Sequence, residues 1–343
     1  MTNNSVFFLG AGFSKAICDF YPDLSNLSEE ISIDYMMHDT TDPLSSHFTN
    51  NVPEEYRCNL ELLLTYLSNN LPYKTDVQIS MDDALYKDIT KKIADKFYTM
   101  PNKFKNFLVN CNNIVHYIWE NSCPCITLNY DLLLENLIYR SYQAYNKAVA
   151  QGGFINFYHY SINNLYKNNI NEYIKLDLLN LKPAGKIHPK SMPNIIKLHG
   201  SINWQLTDFS SSGILQYEDD YNESMLSPFI IPPILDKTKL YENLTLKKCW
   251  NQAYESLKNA RKIFIYGFSF PQTDLAIKFL FQSALRHNHK FKIYVINTKD
   301  MVDENSQYYA KDRYQNIFAR YDIDFKYCCD DSLKLFNNDI YAL

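Results

Sequence analysis

Five short stretches hold residue types suited to binding or bond-breaking chemistry, and each follows an apolar run. The first, VFFLGAGFSK (6–15), ends a buried-strand pattern in Gly10-Ala11-Gly12, with Phe13 and Ser14 next. Glycines at such a turn let backbone approach a phosphate, and a helix starting there offers unpaired N–H groups. A dinucleotide fold puts its first phosphate turn in this setting. Position 15, however, is Lys15, not the third glycine of G-x-G-x-x-G. Gly-x-Gly also serves many strand–helix turns that hold no ligand, so both readings stay open.

The second stretch, CITLNYDLLLENLI (125–138), sets Thr127, Asn129 and Asp131 where a strand ends and a helix begins. Ligands of open α/β sheets bind at the carboxyl ends of strands. Asp131 reads first as the N-cap of the helix from Leu132, and Asn129 reads equally as a turn residue. The third, IIKLHGSINW (195–204), ends a strand at His199, with Gly200 and Ser201 after it. That histidine is either a satisfied structural group or a general base, its unperturbed pKa of about 6.5 suiting work near neutral pH. His159 and His188 lack such a setting and read as surface residues. The fourth, KIFIYGFSFPQTDLAIKFL (262–280), turns at Gly267, offers the Ser269 hydroxyl, and has Thr273 or Asp274 as the cap of the next helix. The fifth, KIYVINTK (292–299), ends at Asn297, whose amide suits ribose hydroxyls or simply begins a loop.

The elements that must position these turns are short apolar strands: Val6–Leu9, Cys125–Leu128, Ile195–Leu198, Phe229–Ile231, Ile263–Tyr266, Lys292–Ile296 and a weaker Asp324–Cys328. Several are apolar on both faces, as parallel strands covered by helices are. Helical patterns over Leu132–Ser141, Leu275–Arg286 and Ala310–Ala319 follow three of them. The alternation predicts a Rossmann-like α/β fold, a parallel sheet with helices on both faces. Two segments break it. Tyr21–Ser122, with helical periodicity at Leu60–Leu67, Asp83–Phe97 and Phe104–Trp119, is more chain than a crossover needs. Tyr142–Met192 is polar and rich in Asn and Tyr, with Gly152-Gly153 near its start. The predicted division is a nucleotide-binding domain of 1–20, 123–141 and 193–343, and a helical cap of 21–122 and 142–192 over the sheet's ligand edge.

Bulk properties bound the function. A chain of 343 residues, 46% apolar, supports one main globular body with a smaller one attached. A net charge of −4 gives no basic field for nucleic acid. No signal-peptide pattern and no apolar run of about 20 residues is visible, so a soluble, cytoplasmic protein without membrane contact is expected. The eight cysteines form no Cys-x-x-Cys pair, so free thiols and no metal are expected.

Taken in order, GAGFS, TLNYD, KLHGS, YGFSFPQTD and VIN resemble the sirtuin-like NAD-binding superfamily, over 5–15, 124–140, 194–204 and 262–298. CNLELLLTYL (58–67) is similar to a Glu-containing helical segment of bacterial sirtuin-like proteins. The resemblance implies NAD⁺ as ligand. Gly10, Ala11, Gly12, Phe13 and Ser14 match the pyrophosphate loop, and Thr127 belongs with the second turn. Asn129 matches the asparagine beside the nicotinamide ribose, and His199 the catalytic histidine. Gly267 and Ser269 match the second cofactor loop, and Asn297 an adenosine-ribose contact.

Protein-deacylating sirtuins carry a zinc module with two Cys-x-x-Cys pairs, which this sequence lacks, and a peptide substrate is therefore disfavoured. Long helical insertions in its place resemble bacterial sirtuin-like NAD⁺ hydrolases of antiphage defence. That likeness implies release of nicotinamide and ADP-ribose, with Asn129 orienting water or a ribose hydroxyl, His199 accepting a proton and Asp131 adding negative potential near C1′. It also implies control by homo-oligomerisation or by a regulatory partner such as an ATPase or Argonaute. The rival readings are an NAD⁺-dependent deacylase, a non-catalytic NAD⁺ or ADP-ribose sensor and, more distantly, a Rossmann oxidoreductase, which Lys15 disfavours.

Overall fold

The computed structural model describes residues 4–19, 21–22, 24–37, 41–98, 108–138, 193–202, 204–206, 214–216, 229–235, 237, 240–286, 288 and 291–343. The second expected insertion, 142–192, with Gly152-Gly153, His159 and His188, lies outside the described residues. The strands are β1 (Ser5–Leu9), β2 (Cys125–Thr127), β3 (Ile195–Lys197), β4 (Trp204–Leu206), β5 (Ile214–Gln216), β6 (Lys262–Tyr266), β7 (Lys292–Asn297) and β8 (Asp322–Cys328). Six of them form one sheet in the order β3-β2-β1-β6-β7-β8, while β4 and β5 pair apart from it. Every neighbouring pair in the large sheet is parallel. The chain thus builds outward from β1 to β3, then returns to the other side of β1. The order reverses between β1 and β6, the crevice where doubly wound sheets bind ligands.

Successive side chains of a strand point to opposite faces, and both faces are covered. Phe7 meets Phe264 and, from the helix α7 (Leu108–Glu120), Tyr117, with ring centroids 4.9 and 6.3 Å away. Phe8 meets Phe281 of the helix Leu275–Leu285 on the opposite face, at 4.9 Å. The expected α/β class with helices on both faces is what the chain adopts.

The described residues of 24–98 form five helices: α2 (Leu24–Met37), α3 (Pro43–Asn51), α4 (Glu54–Arg57), α5 (Leu60–Ser68) and α6 (Asp76–Tyr98). They follow α1 (Ala11–Ile17), which leads off from β1. Apolar residues at helical spacing gather into a second core, among them Leu60, Leu63, Leu64 and Leu67 of α5 and Leu85, Ile89 and Ile93 of α6. The sequence places α7 with these helices, but its buried Cys111, Ile114, Val115 and Ile118 belong to the sheet's own core. A parallel β1–β2 pair needs a crossover element on one face, and α7, which runs straight into β2, is that element.

Phe229–Ile231 is not a strand of the sheet. Ile230 makes a single antiparallel bridge to Gly200, and Pro232-Pro233, lacking N–H donors, end any ladder there. Among the described residues no helix is long and apolar enough to cross a membrane.

Candidate functional site

The carboxyl edge gathers all five turns. Leu9 pairs with Thr127 and Tyr266, Thr127 with Lys197, and Tyr266 with Ile296. Four strands therefore end at one level, before Gly10, Leu128, Leu198 and Gly267, and β7 runs one residue further, through Asn297, which pairs with Cys328.

At the reversal point the first and fourth turns interlock through backbone. Gly10 N–H donates to Tyr266 O at 2.9 Å, and Gly12 N–H to Gly267 O at 3.0 Å. A Cβ on Gly12 would stand 2.7 Å from Gly267 Cα, and one on Gly10 2.5 Å from Gly267 O. Gly267 has φ +63°, the left-handed region, with no room for a side chain against Gly12. The close approach of two turns thus requires these glycines whether or not a phosphate binds. Ala11, between the two glycines, is exposed. The Phe13 ring is buried edge-on against Tyr266 at 5.3 Å, so only its backbone faces the turn.

The second turn is tied to the first by its side chains. Thr127 Oγ1 donates to Leu9 O at 3.2 Å and accepts from Asn129 N–H at 3.1 Å. Asn129 Nδ2 donates to Gly10 O and to Ser14 Oγ, at 3.0 and 2.9 Å. Those acceptors fix the amide's orientation and leave its Oδ1 with no hydrogen bond from the described residues. Ser14, buried in α1, donates its own proton to Asp131 Oδ2 at 2.8 Å. Asp131 Oδ1 accepts from Leu133 N–H at 2.9 Å, so this residue caps the helix at 133–138. Burial raises the Asp131 carboxyl above the usual range, while Lys197, the Leu133 N–H and Ser14 pull it back. Both of its oxygens are occupied within the protein.

In the third turn His199 lies beyond β3 as Asn129 lies beyond β2, each two residues past the Thr127–Lys197 pair. Its Nε2 is buried with no hydrogen-bond partner among the described residues. No hydrogen bond joins it to Asn129. Burial, then the nearby Lys237 ammonium, lowers its pKa from 6.5 to about 3, against the opposite pull of Asp274. The imidazole is neutral across the physiological range. Gly200, at φ +76°, turns the chain so that Phe229–Ile231 folds back on it, with Ser201 N–H donating to Phe229 O and Ile231 N–H to His199 O.

The remaining turns differ in what they leave free. Ser269 is half-buried and its hydroxyl has no partner among the described residues. Phe270 takes φ +50° and is held there by Phe268, Phe281, Tyr314 and Phe318. Asp274 occupies the N-cap position, but its carboxylate does not cap; Lys237 holds it at 2.5 Å. Asn297 uses its amide locally, donating to Met301 Sδ and accepting from Thr298 N–H. Direct bonds thus join Gly10, Ser14, Thr127, Asn129 and Asp131, while His199, Ser269 and Asn297 share the edge without a hydrogen bond to that set.

Lys197, Glu135 and Lys237 stand beside these turns, and the sequence did not single them out. A lysine inside the apolar run IIKL was the available signal, because lysine is almost never fully buried unless paired. Lys237 gave no local sign, its role depending on segments far apart in the chain. Among the described residues no three His, Cys, Asp or Glu side chains converge as a metal site would need.

Comparison with known proteins adds the following. No curated protein matches the sequence. A solved Sir2 homologue in complex with NAD shares 13% identity over 98% of this chain and 89% of that one, with a TM-score of 0.41. An ADP-ribose complex of a Sir2 homologue variant gives 13%, 98% and 92%, with a TM-score of 0.41. Sir2 with an inhibitor, 2′-O-acetyl-ADP-ribose and a deacetylated p53 peptide gives 13%, 98% and 93%, at 0.40. The SIR2-like domain family matches residues 125–321, from β2 to the residue before β8. That span takes in the turns of Asn129, His199, Gly267 and Asn297, and the sheet sets the glycine turn of β1 against it. With more than half of its length matched, the chain belongs to the SIR2-like domain family.

Proposed function

We propose that this protein is an NAD⁺ hydrolase that releases nicotinamide and ADP-ribose. The observation that carries the reading is the placing of two groups beyond adjacent strands, each without a hydrogen-bond partner among the described residues: Asn129 Oδ1 and the buried His199 Nε2, each two residues past the Thr127–Lys197 pair. Membership of the SIR2-like family supports NAD⁺ as the substrate, and the reversal point beside Gly12 and Gly267 is where such a sheet takes a nucleotide.

In the reaction, water adds to C1′ of the nicotinamide ribose as the C1′–N bond breaks. Nicotinamide leaves as a neutral base and the water's second proton is released. No acid is required at the leaving nitrogen. Asn129 Oδ1 accepts a hydrogen bond from the water or a ribose hydroxyl. His199 acts as a neutral imidazole. Its pKa of about 3 makes it a poor store for a proton but a good partner for a ribose hydroxyl, a shift from the ordinary histidine base that its type alone suggests. Asp131 holds Ser14, and through it the Asn129 amide, while adding negative potential. Ser269 offers a hydroxyl to the nucleotide, Ala11 an exposed main-chain edge, and Asn297 the far end of the site.

Residues 24–98 serve as the cap, and the cellular role we assign is depletion of NAD⁺ in bacterial antiphage defence. Activity is held off by homo-oligomeric state or by a protein partner such as an ATPase or Argonaute. The test is incubation of purified protein with NAD⁺, with and without an acylated peptide, and separation of the products. Free nicotinamide with ADP-ribose supports hydrolysis. Release that needs the peptide and yields O-acyl-ADP-ribose means a deacylase. Binding without turnover, in oligomer and monomer alike, means a sensor.

A further inference from the structure

We infer that Lys197 is the positioning residue that clamps the Asn129 turn and the His199 turn into one arrangement; the inference rests on the hydrolase reading above. The lysine ends β3, two residues before His199, and is completely buried. Its Nζ reaches four oxygens. Two are main-chain carbonyls of the second turn, Asp131 O at 2.5 Å and Tyr130 O at 3.4 Å. One is Ser201 Oγ, beyond His199, at 2.8 Å. The fourth is Glu135 Oε1, in the helix that follows Asp131, at 3.0 Å.

Each partner belongs to a segment that carries a proposed site residue. Asp131 and Tyr130 follow Asn129 directly, and Ser201 follows His199 by two residues. The two turns also meet without the lysine, since Ile202 N–H donates to Tyr130 O at 3.1 Å and Ser201 Oγ donates to it at 3.3 Å. The ammonium adds a charged centre from which both turns are measured. Burying an ion pair is weak evidence for stability, because desolvation offsets much of the attraction and apolar residues often do as well. An apolar run that is otherwise Ile195, Ile196 and Leu198 would bury a methionine readily. What the lysine supplies that a methionine cannot is three N–H donors, shared among the two turns and the Glu135 carboxylate.

Lys197 has a property that makes the inference testable apart from stability. The charges that bear most on the His199 ring are Lys237 and Asp274. Replacing Lys197 and Glu135 together leaves both of these in place and removes one charge of each sign, so a changed His199 environment reports mainly on the position of its turn.

The experiment compares the full chain with Lys197→Met and with Lys197→Met/Glu135→Gln, which removes both buried charges so that neither is stranded. The readouts are cooperative unfolding, KM and kcat for NAD⁺, and the ring NMR signals of His199 assigned with His199→Gln. The double variant is expected to fold, keep KM little changed and lose about 10²-fold in kcat, the scale of a displaced reacting group. Its His199 signals are expected to shift. A double variant with wild-type kcat, or with His199 signals in place, overturns the proposal. If the wild-type protein releases no nicotinamide, the hydrolase reading fails alone; the His199 signals and amide exchange at 129–133 and 200–202 still decide the clamp, moved values supporting it and unmoved values overturning it. Should both lysine variants fail to fold, Ser201→Ala, which removes one arm and no charge, decides the clamp through the same signals.

Discussion

Ser14 and Asp131 lie 117 positions apart and share a 2.8 Å hydrogen bond, hydroxyl to carboxylate. The same hydroxyl accepts from Asn129, so one buried serine links α1 to Asn129 and Asp131 of the second turn. Ser14→Ala takes a donor from a buried carboxylate and an acceptor from the amide. The expected loss is about 1–3 kcal/mol of stability, the penalty for an unsatisfied buried group, with a fall in nicotinamide release as Asn129 loosens. Urea unfolding and a product assay check both, and an unchanged midpoint would show the link to be idle.

Gly267→Ala is expected to be worse than an ordinary surface change. The left-handed backbone costs about 1–2 kcal/mol for a residue with a Cβ. That Cβ would also lie 2.3 Å from Gly12 C and from Phe13 N, so backbone must move. Overpacking of this kind adds about 1–3 kcal/mol. Measured unfolding within about 0.5 kcal/mol of wild type, the range of surface substitutions, would contradict the interlocked turns.

The burial of His199 makes stability depend on pH. An unfolded chain takes up this proton near pH 6.5, about the unperturbed value, and the folded protein only near pH 3. The unfolded state therefore binds more protons between these values. The contribution is whole above about pH 6.5 and is lost as the pH falls, at about 1.4 kcal/mol per unit. His199→Gln should flatten the dependence of the urea midpoint on pH below that point while leaving the neutral value nearly unchanged. In the same way, nicotinamide release should show no titration limb near pH 6.5 from this residue.

Lys237→Met removes the cation that helps keep His199 neutral. The histidine pKa should rise, and Asp274→Asn should move it the other way. Titration of the assigned ring signals tests the pair, and a shift of the wrong sign in either variant breaks the assignment.

Ile202 packs in the core of the α2–α6 helices, as do Ile230 and Ile234. Tyr130 and Leu132, which flank Asp131, pack against that core. The loops bearing the site therefore complete the cap. Ile202→Ala should cost about 2–5 kcal/mol and loosen His199 with the cap, seen as faster amide exchange at 60–67 and 200–202 together. Exchange confined to one of the two would separate them.

The sequence alone was enough for the six strands of the large sheet, the order of the turns and the α/β class, because apolar runs, glycines and caps act within a few residues; it also offered Phe229–Ile231 as a strand and missed β4 and β5. The polar hub at Asp131 was half legible: its capping role is local, whereas its bond to Ser14 crosses two strands. Three features belonged to the tertiary structure. The helix α7 has the same periodicity as its neighbours, and only packing shows that it covers the sheet and not the cap core. Asp274 stands where a cap should be, yet Lys237 from another segment takes its carboxylate. His199 has the type of a neutral-pH base, but burial and a lysine 38 positions on set its charge state. The division has one cause. Hydrogen bonds along a turn are fixed by neighbours in the chain, whereas desolvation and charge depend on every atom that surrounds a group, and those atoms come from segments that only the fold brings together.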